Sequence, residues 1–194
     1  MKSFDVIIIG YGPTGGTLAS LLVKSNLSVL ILEKEKNLYP LPRAVHFDDE
    51  IMRVFETIGI KEKFKKFTII NKGTKFVDNT GKVLLDWPRP REITENGSYP
   101  SYRFHQPDFE KVIRNHLKGF KNFSFKQNSN VIKIKNTKNY VEIKFEDTET
   151  FKQETLRCKY LVGCDGANSI TRKRIKSQFD NLGFNQKWAV IDLI

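Results

Sequence analysis

The sequence predicts an α/β fold built on a parallel sheet, and three observations in the first 33 residues carry that prediction. Phe4–Ile9 is a short, β-branched apolar run, the pattern of a strand buried on both faces. It breaks into Gly10-Tyr11-Gly12-Pro13-Thr14-Gly15-Gly16, after which Thr17–Lys24 has helical periodicity, with Leu18, Leu21 and Leu22 on one face. A second buried strand, Ser28–Leu32, ends at Glu33. Strand, glycine-rich turn, helix and strand in this order form a βαβ unit with its two strands parallel.

The turn is a G-x-G-x-x-G, and each part suits a dinucleotide site. Gly10 allows the tight turn, Gly12 lets the backbone approach a pyrophosphate, and Gly15 lets helix and strand pack closely. The pyrophosphate would sit on the free N–H groups at the start of the helix. Pro13 fits that first turn, where its missing N–H is no loss, and Thr14 follows it. Glu33 lies 18 residues after Gly15 at a strand tip, where a carboxylate can accept both hydroxyls of an adenosine ribose, with Lys34 next to it. A glycine motif by itself carries little weight. With a strand before it, a helix after it and an acid at this distance, it becomes specific.

The chain has 194 residues, enough for one good core. Its 33 Lys+Arg against 22 Asp+Glu give a net charge of +11. The lysines are spread through every segment, and the densest runs, Lys61–Lys66 and Arg172–Lys176, read as solvated faces of amphipathic pieces rather than as a nucleic-acid surface. No apolar run approaches the roughly 20 residues of a membrane span, so no membrane partner is expected. The first apolar stretch feeds directly into the glycine turn, unlike a signal peptide, and the expected compartment is the cytoplasm. Cys158 and Cys164 make no metal set and read as buried thiols; no metal site is expected.

Asn26 falls where the first helix must reverse, a position that favours a left-handed residue. After a loop over 34–42 comes Arg43-Ala-Val-His-Phe-Asp-Asp-Glu50, read as opening a helix that runs to Ile58 and stops at Gly59. Arg43, stiffened by Pro40 and Pro42, could reach a ligand or pair with Asp48 or Asp49. Thr68–Val77 and Lys82–Trp87, joined by Asp78–Gly81, read as a hairpin, and 88–100 as a surface loop. Gln106 precedes a helix starting at Pro107, where its amide could face a ligand or cap the helix. His105 and His116 lack metal-like spacing and an evident partner, and read as structural.

Strands are expected at 122–126, 130–135, 140–145 and 155–162. Tyr160–Asp165 reads as a further buried strand, ending at Gly163. It delivers Asp165 and Gly166 to a strand-to-helix corner with Ser169 as the helix cap, where open α/β sheets bind ligands.

In the order Gly10-x-Gly12-x-x-Gly15, Glu33, Pro-Arg43-Ala, Gln106-Pro-Asp-Phe and Asp165-Gly166-x-x-Ser169-x-x-Arg172, the chain resembles the class A flavoprotein monooxygenases, the single-component FAD-dependent aromatic hydroxylases. It is most similar to the 3-(3-hydroxyphenyl)propionate hydroxylase type, over nearly the whole chain. The resemblance implies a Rossmann-like FAD/NAD(P)-binding domain, a parallel sheet with helices plus a β-meander, joined to the beginning of a substrate-binding β-sheet. It implies non-covalent FAD, NADH or NADPH as co-substrate, and a small aromatic substrate with O2. It would place Glu33 on the ribose, Arg43 and Gln106 near the flavin, the Val131 backbone beside adenine, and Asp165-Gly166 at FAD and NAD(P)H. No catalytic acid, base or nucleophile is implied in this stretch.

On this resemblance, residues 1–178 are the FAD-binding domain, with 68–100 contributing to the substrate side, and 179–194 begin a substrate-binding domain. Family members continue into a Gly-Asp-Ala motif, whereas this chain stops at Ile194 within an expected apolar strand. It is therefore expected to be the N-terminal part of a longer enzyme and inactive alone; a homodimer is one option for the full-length protein. The alternatives are a non-catalytic FAD- or NAD-binding remnant and another flavin enzyme of the same fold, such as an epoxidase or reductase. A halogenase would carry Trp-x-Trp-x-Ile, which is absent.

Overall fold

The main sheet of this computed structural model, which describes residues 2–41, 43–187, 189 and 191, has six strands. In chain order its strands and first helix are β1 (Ser3–Ile9), α1 (Pro13–Lys24) and β2 (Val29–Leu32). There follow β3 (His46–Phe47), α2 (Asp49–Ile58), α3 (Lys61–Lys65), β4 (Thr68–Ile70), β5 (Gly73–Val77), β6 (Val83–Pro88) and β7 (Tyr102–Phe104). The chain then forms α4 (Gln106–Leu117), β8 (Phe123–Lys126), β9 (Ser129–Asn136), β10 (Val141–Asp147), β11 (Gln153–Gly163) and α5 (Ile170–Arg174). The sheet order is β8-β2-β1-β11-β10-β9. The first four strands are mutually parallel, and β11-β10-β9 is an antiparallel meander.

Both faces of the parallel strands are covered, which is why β1 and β2 read as unbroken apolar runs. Val6, Ile8, Val29 and Ile31 pack under α1, α2 and α4 through Ala19, Val23, Met52, Ile113 and Leu117. On the opposite face, Ile7, Ile9, Leu30 and Leu32 meet Val131, Ile134, Ile143 and Phe145 of the meander. Burial pushes the Cys158 thiol in this second core up to about 11 and raises that of Cys164 as well, so both stay protonated. Asn26 adopts φ 59° in the reversal after α1.

Four expectations change. Residues 43–48 are not helical: His46–Phe47 pairs with β7, and α2 begins at Asp49 with the Asp48 carboxylate capping the Ile51 N–H at 3.0 Å. The segment 68–77 is not one hairpin arm. Its first part, β4, pairs with β7, and only β5 and β6 form the hairpin. The break falls at buried Asn71, whose N–H donates to the Ser101 carbonyl at 3.0 Å and whose side chain binds Ser101 Oγ, Arg103 Nε and the Gly73 N–H. Strands 155–162 and 160–165 are one strand of 11 residues, β11, and Tyr160 on it is 70% exposed rather than buried. His105 has a partner, the Asp108 carboxylate at 2.8 Å. The expected apolar strand at the end of the chain lies largely on residues outside those described.

The short sheet β3-β7-β4 sits on an aromatic cluster of Phe47, Phe55, Phe64, Tyr102, Phe104 and Phe109, with ring centroids 4.8–5.9 Å apart. Such pairs add to the area they bury, and here they fix the segment that carries Arg43 against α4.

Candidate dinucleotide-binding site

Three parallel strands end side by side. Ile9 is in register with Leu32 on one side and Gly163 on the other. The pairing continues one residue further, with Gly10 N donating to Leu32 O at 2.8 Å and Cys164 N to Ile9 O at 2.7 Å. The glycine turn, Glu33 and the Asp165 corner therefore lie together at the carboxyl edge of the sheet, the place where open α/β sheets hold ligands.

The glycines of the turn are required for different reasons. Gly10 has φ +100°, and a Cβ there would lie 2.3 Å from the Cys164 carbonyl oxygen. A Cβ on Gly15 would lie 2.1 Å from the Gly10 carbonyl oxygen, and one on Gly16 2.6 Å from Ile113. These three let α1 sit against β1, β11 and α4. Gly12 differs, because a Cβ there meets nothing within 4 Å. No protein atom excludes a side chain at that point, and the backbone of the turn is open to close approach from outside. The chain enters α1 through Pro13, and by position the N–H groups of Thr14 and Gly15 have no acceptor within the helix. Together they point free donors to the outside, as helix starts that take anions do.

Glu33 closes one side. Its Oε2 accepts the Tyr11 N–H at 2.6 Å and its Oε1 that of Glu35 at 2.9 Å. The carboxylate thus stands against the glycine turn with lone pairs left for hydroxyl donors. Lys34 turns outward and pairs with Glu35 at 3.6 Å. Val131 is buried on β9, which starts where Ser129 N donates to the Glu33 carbonyl at 2.8 Å, so this edge of the meander is tied to the same strand tip.

Arg43 and Gln106 meet in a way that the sequence did not suggest. Arg43 pairs with neither Asp48 nor Asp49; its guanidinium lies over the Tyr39 ring, 4.1 Å from the centroid. Asp49 is instead taken by Thr94 and Asn96. Gln106 neither caps α4 nor points at open space. Its Oε1 accepts the backbone N–H groups of Arg43 and Ala44, both at 2.9 Å, and its Nε2 donates to Glu110 Oε1 at 2.8 Å. On the next turn Arg114 donates to the Tyr11 carbonyl at 3.1 Å and lies over the Tyr11 ring at 4.5 Å. Sequence reasoning missed Glu110 and Arg114. The available signal was their spacing, since positions 106, 110 and 114 of one helix share a face.

At the third strand tip the Asp165 carboxylate turns back into the protein. It accepts from Ser169 Oγ at 2.7 Å, Ile170 N at 2.7 Å and Thr171 N at 3.3 Å, while Ser169 caps Arg172 N at 2.9 Å. Asp165 thereby builds the corner in which Gly166 adopts φ +72°. Arg172 lies over Phe179 at 4.9 Å. Among the described residues no group of three or more His, Cys, Asp or Glu could hold a metal ion, and no helix is long and apolar enough to cross a membrane.

A parallel sheet whose first βα turn is an open glycine cradle, faced by a strand-tip carboxylate, defines the class of dinucleotide-binding α/β domains. Within that class the chain belongs to the FAD-binding domain family, whose model matches residues 3–194. A probable NADH-specific resorcinol 4-hydroxylase from Rhodococcus jostii (strain RHA1) is 34% identical over 98% of this chain. A 3-(3-hydroxy-phenyl)propionate/3-hydroxycinnamic acid hydroxylase from Mycolicibacterium gilvum (strain PYR-GCK) is 29% identical over 97%. The chain spans about a third of the length of these relatives, 36% and 32% respectively. The crystal structure of a p-nitrophenol 4-monooxygenase from Pseudomonas putida DLL-E4 superposes with a TM-score of 0.83 at 24% identity, covering 93% of this chain and 45% of that one. A flavin-dependent monooxygenase in complex with FAD and substrate superposes with a TM-score of 0.81 at 18% identity, covering 92% and 33%. Both share the fold.

Proposed function

We propose that this chain forms the FAD-binding part of a flavin-dependent monooxygenase that hydroxylates a phenolic or other aromatic acid. NADH or NADPH supplies two electrons and O2 supplies the oxygen: one atom replaces a ring hydrogen as hydroxyl and the other leaves as water. FAD, when bound, supplies the redox chemistry between nicotinamide, O2 and ring.

The chain's own residues bind and orient. Gly10, Gly12, Pro13, Thr14 and Gly15 receive the pyrophosphate on backbone N–H groups at the start of α1. Glu33 accepts the ribose hydroxyls, with Lys34 beside it, and the Val131 backbone lies against adenine. Arg43, held by Gln106, faces the cofactor from the opposite loop, and the Asp165-Gly166 corner closes the third side. Residues 1–178 serve as the nucleotide-binding domain, with 68–100 contributing to the substrate side. The irregular, exposed stretch after α5, with Phe179, Leu182 and Phe184 each about four-fifths exposed, supports a boundary near 178.

The observation that carries this reading is the unobstructed space at Gly12, set between the start of α1 and the Glu33 carboxylate. The test is to release the bound nucleotide with acid and identify it by chromatography. NAD(P)H oxidation is then followed with resorcinol and 3-(3-hydroxyphenyl)propionate under isotopically labelled O2, in the longest polypeptide that contains the chain. Recovery of FAD and labelled hydroxylated product are the expected results; nicotinamide dinucleotide without flavin would overturn the cofactor assignment.

A further inference from the structure

Helix α4 carries Gln106, Glu110 and Arg114 at successive i, i+4 positions, so the three side chains form a ladder up one face. Gln106 and Glu110 are each only 6% exposed. The Gln106 amide oxygen accepts two hydrogen bonds and its nitrogen donates one, and its orientation has one solution. Two backbone N–H groups can only donate, so they take its oxygen; an ionised carboxylate only accepts, so it takes the nitrogen. The other Glu110 oxygen lies 3.6 Å from Arg114 Nη2, the nitrogen that also donates to the Tyr11 carbonyl. The ladder therefore begins at the loop bearing Arg43 and ends at the loop between Gly10 and Gly12.

Burying a carboxylate here costs the fold something, and burial raises the Glu110 carboxyl above its ordinary value against the pull of Gln106 and Arg114. A packed apolar residue would serve stability as well or better. What an apolar residue would not do is give the Gln106 amide nitrogen an acceptor that anchors the side chain in place, and hold a guanidinium on one carbonyl.

We propose that Glu110 is a positioning residue of the cofactor site: by orienting Gln106 and Arg114 together, it fixes the Arg43–Ala44 backbone relative to that of Tyr11 and so sets the opening in which the dinucleotide phosphates lie. The inference rests on the glycine turn being the cofactor site. Without a carboxylate, the Gln106 nitrogen loses its acceptor, and the side chain is free to swing away from the two N–H groups and release the Arg43 loop. Gln at 110 would still offer an acceptor oxygen.

The experiment compares the parent chain with E110A, E110L and E110Q, E110L being included because it fills the volume that E110A leaves empty. Hydrogen exchange is read at the Arg43 and Ala44 amides and, as a control, at Ile7–Ile9; FAD affinity is read by titration of apoprotein. In E110A or E110L the Arg43 and Ala44 amides should exchange about tenfold faster and FAD should bind about tenfold more weakly, the size of one lost charged hydrogen bond. The β1 amides should not change, and E110Q should recover most of the protection. Equal acceleration in β1 would make Glu110 merely structural and overturn the proposal, as would an unchanged FAD affinity in a variant whose parent binds normally. A parent that takes up no FAD overturns the reading of the glycine turn instead.

Discussion

The carboxylate of Glu33 accepts the backbone N–H of Tyr11 at 2.6 Å, a bond that ties the tip of β2 to the turn after β1. The acid therefore acts before any ligand arrives, holding the cradle in shape. Glu33→Ala removes this bond and, in the bound state, those to the ribose. Bonds to a charged acceptor contribute roughly 1.5–3 kcal/mol each, so FAD affinity should fall at least tenfold. Glu33→Gln should lose less, because its amide oxygen can still accept from Tyr11. Calorimetric titration of the apoproteins checks the order; equal affinity in all three would mean that the ribose lies elsewhere.

The glycines of the turn separate stability from binding. Gly10→Ala places a methyl group 2.3 Å from a backbone oxygen at φ +100°. Left-handed strain and overpacking each cost about 1–3 kcal/mol, so Tm should fall by roughly 5 °C or more. Gly12→Ala has φ −82° and open space, so Tm should change little. Its methyl group nevertheless stands where the pyrophosphate must approach, and FAD affinity should fall more than about tenfold, as when a close backbone contact is blocked. Thermal melts of the two apoproteins, followed by flavin titration of Gly12→Ala, distinguish the effects. A Gly12→Ala protein that binds FAD normally would remove the pyrophosphate from this turn.

His116 predicts an acid-side loss of stability. It lies between α4 and the end of α2, and burial together with Lys63 and Lys24 depresses its pKa below the ordinary 6.5, against a bond to Ile58. A histidine depressed in the folded state takes up its proton more readily when unfolded. Its contribution is therefore complete above pH 6.5 and is lost as pH falls from there through the depressed folded value. Melting temperature measured between about pH 8 and 5 should drop more steeply in the parent than in His116→Gln. Parallel profiles would show that His116 is not the group responsible.

Much of this architecture was legible because its signals are local. A buried parallel strand is an unbroken apolar run, and Gly10, Gly12 and Gly15 announce the turn between β1 and α1 through spacing alone. The misread parts depend on distant partners. Whether 68–77 is one strand or two is decided by Asn71 bonding to Ser101 and Arg103 about thirty residues away. Tyr160 looks like core beside Leu161 and Val162, yet its exposure follows from which face of β11 the meander covers. The structural part that Gln106 plays was not legible, because its acceptor and donors come from Glu110 on its own helix and from a loop 62–63 residues away.

The Asp165 corner gives a last prediction, in which structural and ligand roles come apart. A helix of five residues cannot hold itself together, so α5 depends on the Asp165 carboxylate and Ser169 hydroxyl that take its first N–H groups. Asp165→Ala removes that support at a cost of about 0.5–2 kcal/mol, the range measured for helix caps. The helix carries Arg172, Lys173 and Arg174, so its opening should be read directly as faster tryptic cleavage there, by roughly two- to thirtyfold if the open form is what is cut. Gly163 leaves no slack, since a side chain there would meet Thr171 at 2.5 Å, and loss of the cap should therefore move Gly166 as well. FAD affinity is then expected to fall together with protection from trypsin, and Asp165→Asn, which keeps one acceptor oxygen, should recover part of both. If Asp165→Asn restored protection fully while affinity stayed at the alanine level, the carboxylate would be meeting the ligand itself and the indirect role would be wrong.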